Sequence, residues 1–312
     1  MNESMVEQSG VMAHNAAGNA NGAIALRVHG LVKRFPPFKL GPLDLAVPEG
    51  AMFALIGPNG AGKTTLLDLI MGMGCPDEGR IEVFGMDQQR NEVAIKLRVG
   101  YASPDTNYRA WRRVGLLIDF LKRFYPTWDD SYCEDLLLRF ELTTMAEIAK
   151  LSLGQLTRLG LTVALAHRPD LLLLDEPTTG LDAFGKQILF KELLELLESE
   201  HKTVVISSHN LSDLERYADH VGMLHKGQLV LAGRIDELLE EHRMVDVELP
   251  PDTNPAHWSN VRVVERQAQR YRLLVRRNGA TVLPCTAEQV IHESAVTLEE
   301  LLLALADGGP TL

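Results

Sequence analysis

The stretch Gly57-Pro58-Asn59-Gly60-Ala61-Gly62-Lys63-Thr64-Thr65 decides how the rest of the chain is read. It follows the apolar run Ala51–Ile56 and leads into a helical pattern over Thr64–Met71. Its spacing is GxxxxGK[ST], set between a buried strand and a helix. Glycines let a backbone wrap closely around an anion, so that several N–H groups point inward. The helix that follows adds the positive end of its dipole. Lys63 is placed to reach the β- and γ-phosphates of a nucleotide, and the Thr64 hydroxyl to hold Mg²⁺. A flexible loop with no ligand would not require this order of strand, glycines, lysine and helix.

Working outward, Leu171–Leu174 is a second buried-strand run, and it ends on Asp175 and Glu176. A strand of that kind delivers its terminal carboxylate to the carboxyl edge of the sheet, where open α/β folds bind ligands. Thr64 and Asp175 form a candidate pair of hard oxygen ligands for Mg²⁺. Glu176, one residue on, points elsewhere and could polarise an attacking water. A helix-capping acid pair is the alternative reading of Asp175-Glu176. His209 ends a third apolar strand, Thr203–Ser207, at the same edge. A histidine can contact a γ-phosphate while bonding a carboxylate, although a lone histidine at such a place is often without function.

The remaining pattern alternates buried strands with helices, including Val99–Ala102, which argues a mainly parallel sheet covered by helices. Ala25–Val28 and Leu43–Val47 read as strands near the start, and Val221–Leu224 with Gln228–Leu231 as a late strand pair. Between Trp111 and Ala149 only helical patterns occur, over Val114–Phe124, Asp130–Phe140 and Met145–Lys150. Helices are also expected over Ser212–Tyr217 and Ile235–Glu241. From Met244 the signal changes to strands at Met244–Leu249, Val261–Glu265, Arg270–Val275 and Ala280–Pro284, then a helix over Thr297–Leu305. Residues 1–23, rich in Ala, Asn, Gly and Ser, are expected to be a disordered tail. The domain expectation is therefore 24–243 as the nucleotide domain, with a helical part near 105–160, and 244–312 as a small α+β unit.

Composition narrows the function classes. The 312 residues carry a net charge of −11, a balance that repels phosphate backbones and counts against a nucleic-acid partner. Cys75, Cys133 and Cys285 are far apart, giving neither a disulfide framework nor a zinc spacing. No run approaches the ~20 apolar residues needed to span a bilayer, and no secretory signal is seen at Met1. A cytoplasmic protein is expected, with any membrane span supplied by another chain.

Taken together, these motifs resemble the nucleotide-binding subunit of ATP-binding cassette (ABC) transporters over about residues 25–235. Leu151-Ser152-Leu153-Gly154-Gln155 is similar to that family's LSGGQ signature, and it stands ahead of the Walker B run Leu174-Asp175-Glu176-Pro177. Thr179-Gly180-Leu181-Asp182 resembles the D-loop, and His209 matches the switch histidine. The resemblance implies an α/β fold of the P-loop NTPase type, an ABC cassette with a mainly parallel sheet, an antiparallel β subdomain and an α-helical insertion. It implies ATP and Mg²⁺ as cofactors. Gly57, Pro58, Asn59, Gly60, Ala61, Gly62, Lys63, Thr64 and Thr65 would bind the phosphates, with Thr64 and Asp175 on the metal. Glu176 would be the general base, with His209 sensing the γ-phosphate and Lys63 stabilising its charge. Ser152, Gly154, Gln155 and Asp182 would meet ATP on an opposite cassette, in a homodimer or heterodimer. Phe35 is the candidate to stack on adenine, with an edge aromatic before a Pro-Pro turn as the alternative.

Two departures from the family pattern stand out. Leu153 occupies a usual glycine position, and Pro104 stands where the family has a glutamine ligand, within Gly100-Tyr101-Ala102-Ser103-Pro104-Asp105. Asp105 is the expected substitute ligand. Finer similarities, over Phe124–Asp129, Ala164–Pro169 and Ser294–Glu300, point to bacterial exporters whose membrane subunit, a transmembrane permease, is a separate chain. That places the protein on the inner face of the cell membrane. Trp111, Phe124, Tyr125 and Trp128 are read as core of the helical part, some of them as a groove for the membrane partner. The alternatives are a regulatory ATP switch, suggested by Pro104, or a soluble ribosome-associated ATPase.

Overall fold

The computed structural model describes residues 23–277 and 283–306; the tail expected over residues 1–23 lies, but for its last residue, outside them. Those residues form two compact units, 23–232 and 233–306. The division falls between Ala232 and Gly233, which groups the helix at 235–241 with the C-terminal unit rather than with the residues before it.

In the first unit, β1 (Ile24–Phe35) and β2 (Phe38–Pro48) form a long antiparallel pair. On its other side β1 meets β4 (Glu78–Val83), which is followed by β5 (Met86–Asp87), giving the order β2-β1-β4-β5. The second sheet contains β3 (Met52–Ile56), β6 (Val99–Ala102), β7 (Leu171–Leu174), β8 (Thr203–Ser208), β9 (His220–His225) and β10 (Gln228–Arg234), in the order β10-β9-β3-β8-β7-β6. β3, β6, β7, β8 and β9 pair in parallel. Strands β3, β7 and β8 are buried at every residue, as a parallel sheet covered on both faces requires. That is why they read as unbroken apolar runs.

Helix α1 (Lys63–Ile70) packs Leu66 and Leu67 into a core that also holds Leu26, Leu40, Phe53 and Leu173 from both sheets. Helix α2 (Glu92–Arg98) precedes β6, and α3 (Val114–Leu121), α4 (Asp130–Arg139) and α5 (Leu153–Leu165) form the helical part. Asp129 starts α4 by accepting the Tyr132 N–H at 2.9 Å. Helix α6 (Ala183–Glu200) follows β7, and its buried Glu192 pairs with Arg139 and lies 3.4 Å from the Tyr132 hydroxyl of α4.

Two expected helices are single 3-10 turns. At 145–150 only Ile148–Lys150 turns, because the backbone of this stretch pairs elsewhere. Gly115 N–H donates to Thr144 O at 2.8 Å, Val114 N–H to Ala146 O at 3.1 Å, and Arg113 bridges Glu147. At 212–217 the turn is Leu211–Asp213, after which Leu214 is buried and Tyr217 stacks on Phe190 at 4.2 Å.

The C-terminal unit holds α7 (Ile235–Glu241), then β11 (His242–Glu248), β12 (Val261–Gln267), β13 (Arg270–Arg276), β14 (Val290–Ala295) and α8 (Leu298–Ala306). Its antiparallel sheet runs β12-β13-β11-β14. One face gathers Val245, Val247, Val261, Tyr271, Leu273 and Val275 into a core, with Trp258 packed against it. The strand expected at 280–284 lies mostly outside the described residues, Leu283 and Pro284 are not in a strand, and the fourth strand is β14.

A buried histidine gives this fold a pH dependence. His167, just past α5, stacks on Tyr125 with ring centroids 4.1 Å apart. Burial pushes its imidazole below the ordinary value, against a smaller opposite pull from the backbone at Val99 and Val163. The folded protein therefore favours the neutral ring, and the unfolded chain binds the extra proton. Stability from this group is fully present above about pH 6.5 and falls as pH drops below it, by at most ~1.4 kcal/mol per pH unit for one proton. His167→Phe, which keeps a ring on Tyr125, is expected to melt with a shallower loss between pH 7.5 and 5.5 than the parent protein. Parallel Tm–pH curves would show that His167 titrates as it does in the unfolded chain.

Candidate active site

The loop between β3 and α1 is shaped by glycines at three places where other residues fail. A Cβ on Gly57 would lie 2.2 Å from Leu224 O, while Gly60 and Gly62 hold φ of +78° and +107°. No side chain caps α1, which leaves its amino end open to an anion. Lys63 is buried, and its ammonium donates to Gly57 O at 2.7 Å and sits 3.2 Å from Glu176 Oε1. The lysine is thus held across the loop by a carbonyl on one side and a carboxylate on the other.

Asp175 is 2% exposed and gripped by two hydroxyls. Thr64 Oγ1 donates to its Oδ2 at 2.7 Å, and Ser207 Oγ donates to its Oδ1 at 2.6 Å. Ser207 also accepts the Glu176 N–H at 2.9 Å, so one buried serine fixes both acids. Glu176 has φ of +45°, in the left-handed region that costs a residue with a side chain roughly 1–2 kcal/mol. That backbone turn sends its carboxylate away from Asp175 and toward Lys63 and His209, whose Nδ1 is 2.7 Å from Glu176 Oε2. Lys63, Thr64, Asp175, Glu176 and His209 therefore meet at the carboxyl edge of β3, β7 and β8.

The residues of the second motif group sit at helix starts. Ser152 and Gln155 close a capping box on α5: Gln155 N–H donates to Ser152 Oγ at 3.3 Å, and Ser152 N–H to Gln155 Oε1 at 2.9 Å. A Cβ on Gly154 would lie 2.4 Å from Gly180 O, so this glycine is required by close approach. The Leu153 side chain, 53% exposed, covers Gly180. Asp182 caps α6 through Gly185 N–H at 2.8 Å and lies 3.2 Å from Arg158. Among the described residues, the polar contacts of Ser152, Gln155 and Asp182 are made with α5 and α6, none with Lys63, Thr64 or Asp175.

Phe35 ends β1 with half its surface exposed and its ring 5.4 Å from Lys33 Nζ. Phe38, its partner across the hairpin, is the aromatic that approaches Gly62 of the loop, since a Cβ there would lie 3.2 Å from its ring. Sequence reasoning singled out neither Phe38 nor Ser207. In the loop after β6, Asp105 is exposed, and Ser103, Pro104 and Thr106 line a small cavity together with Asp175 and Glu176.

The arrangement combines backbone donors, a buried cation, a hydroxyl–carboxylate pair and a poised carboxylate, the parts needed to hold a polyphosphate and move a proton from water. A family model described as "ABC transporter" matches residues 40–179. The ABC transporter ATP-binding protein YtrB of Bacillus subtilis is 29% identical over 273 residues, covering 86% of this chain and 93% of that protein. The daunorubicin resistance ATP-binding protein DrrA3 of Streptomyces coeruleorubidus is 34% identical over 224 residues, 70% of each chain. A solved structure of an ATP-binding subunit of an ABC transporter superposes with a TM-score of 0.63 at 25% identity, covering 69% of this chain and 92% of that one. With the site's geometry and these likenesses in agreement, the chain belongs to the ABC transporter family, as an ATP-binding subunit with ATPase activity.

Proposed function

We propose that this subunit hydrolyses Mg²⁺-ATP to drive an exporter whose membrane-spanning part is a separate chain, working on the inner face of the cell membrane. The observation that carries the proposal is the joint placement of Lys63, Thr64, Asp175, Glu176 and His209 at one sheet edge, where Lys63 pairs with Glu176, Thr64 with Asp175 and Glu176 with His209. Backbone donors over Gly57–Thr65 hold the phosphates, and Lys63 turns from Gly57 O to the terminal one. The Thr64 hydroxyl and the Asp175 carboxylate fit a hard divalent cation, which needs few protein oxygens when phosphate and water fill its other positions. When bound, Mg²⁺ neutralises charge on the phosphates. Glu176 accepts the proton of the attacking water, and His209, at 2.7 Å, orients that carboxylate.

Ser152, Gly154, Gln155 and Asp182 serve the ATP held by a second cassette. They sit outside the cluster in their own chain, which is where groups meant for a partner's nucleotide belong. The α5 dipole begins at Ser152 and directs its positive end at that phosphate. Phe35 stacks on adenine, with Phe38 as its support next to the loop. No helix among the described residues is long and apolar enough to cross a membrane. The Streptomyces relative is named for drug resistance, which favours export.

The test is capture of the tagged chain from detergent extracts of its own cells with Mg²⁺-ATP present. A polytopic membrane protein recovered in stoichiometric amount, and ATP turnover that rises with it, is the expected result. Recovery of ribosomes, or of no membrane protein with full ATPase activity in free solution, would overturn the export reading.

A further inference from the structure

The loop that leaves β6 borders the site closely. Asp175 N–H donates to Ala102 O at 2.8 Å, and Ser103, Pro104 and Thr106 share a cavity with Asp175 and Glu176. Pro104 brings no polar side-chain atom to it, and the Asp105 side chain does not line it. Something else must hold this loop against the phosphate site.

A chain of polar contacts does so. On α1, Asp68 lies one turn beyond Thr64, the spacing that places two residues on the same face of a helix. The Tyr101 hydroxyl on β6 donates to Asp68 Oδ1 at 2.8 Å, and Ser103 follows Tyr101 by two residues as the chain leaves the strand. Ser103 Oγ in turn accepts the Asp105 N–H at 3.3 Å. The tie thus runs from the phosphate-loop helix through the Asp68–Tyr101 hydrogen bond, along the backbone from Tyr101 to Ser103, and from Ser103 Oγ to the Asp105 N–H. Burial raises Asp68 above the usual carboxylate range; the Tyr101 hydrogen bond pulls it back, and the Asp175 and Asp105 charges push it further up. The carboxylate is therefore electrostatically close to both ends of the arrangement.

We infer that Asp68, Tyr101 and Ser103 are positioning residues for ATP hydrolysis: they tie the 103–106 loop to α1 and so fix the cavity wall opposite Asp175 and Glu176. A change of α1 when phosphate binds is carried to the loop by this route, and a pull on the loop is carried back. The inference rests on Thr64 and Asp175 holding the metal-bound phosphates.

Tyr101→Phe deletes one hydroxyl and keeps the ring. It is expected to lower kcat about tenfold, the worth of one hydrogen bond lost from the reactive arrangement, with ATP affinity and Tm close to the parent. Asp68→Asn keeps an oxygen that accepts from Tyr101, and is expected to retain more turnover than Asp68→Ala. A purely structural role would lower Tm while leaving kcat and KM unchanged. Parent-like kcat in Tyr101→Phe, or equal losses in the two Asp68 variants, would overturn the inference. Lys63→Ala measured alongside separates the two levels: if it binds ATP normally, the nucleotide site itself is wrong, and if it does not, only the positioning role is at stake.

Discussion

Glu176→Gln is expected to lower ATP turnover about 10³-fold while the nucleotide still binds. The substitution keeps the length and planarity of the side chain, so its backbone at φ +45° need not change. One amide atom can still face His209 Nδ1, now 2.7 Å from a carboxylate oxygen. What disappears is the ability to take a proton from water, and with it the negative charge 3.2 Å from Lys63. Losing that charge frees the lysine for phosphate, so affinity for ATP should hold or rise. On the proposed pairing of two cassettes around ATP, the variant should accumulate as ATP-bound pairs, because it binds nucleotide and does not turn it over. Phosphate release gives the first quantity, and light scattering with and without Mg²⁺-ATP gives the second. Parent-like turnover would remove Glu176 as the base and leave its left-handed backbone without a catalytic reason.

The core of the site was legible because its constraints are local. Gly57, Gly60 and Gly62 answer to close approach or positive φ at their own positions, and the runs before Lys63 and Asp175 are apolar because both faces of the sheet are covered. Those requirements leave marks in the sequence at fixed spacing. Ser207 left none: a serine closing an apolar strand is unremarkable until folding sets it between Asp175 and Glu176. Phe38 was hidden for the same reason, since only the register Phe35↔Phe38 and the approach of Gly62 reveal it. At 145–150 helical periodicity misled, because it cannot register the backbone bonds to Val114 and Gly115, which are remote in sequence. Strands β4 and β5 and helix α2 are short and mostly exposed or half-buried, so their patterning was too weak to read. Asp105, the expected substitute ligand, is exposed after the turn at Ser103-Pro104, with its N–H donated to Ser103 Oγ.

Lys63→Ala is expected to do more damage than any other single change, since it acts on binding and on chemistry together. The ammonium is the charge that Gly57 O and Glu176 hold inside the loop, only 6% exposed, so no solvent cation replaces it. Loss of one such stabiliser of developing phosphate charge costs about 10²–10³ in rate, and a weaker ground-state affinity multiplies with it. The same deletion leaves Glu176 Oε1 without its partner. Unpairing a fully buried carboxylate would cost about 3–5 kcal/mol, but the Glu176 side chain is 16% exposed and keeps His209, so the loss of stability should be well below that range. Tm, nucleotide affinity and kcat therefore respond in different proportions: a small shift, a large loss and a near-complete loss. Lys63→Arg is no rescue, because a planar guanidinium cannot enter a pocket formed around a single ammonium. Unchanged affinity in Lys63→Ala would mean that the glycine-lined loop holds no triphosphate, whatever its likeness to loops that do.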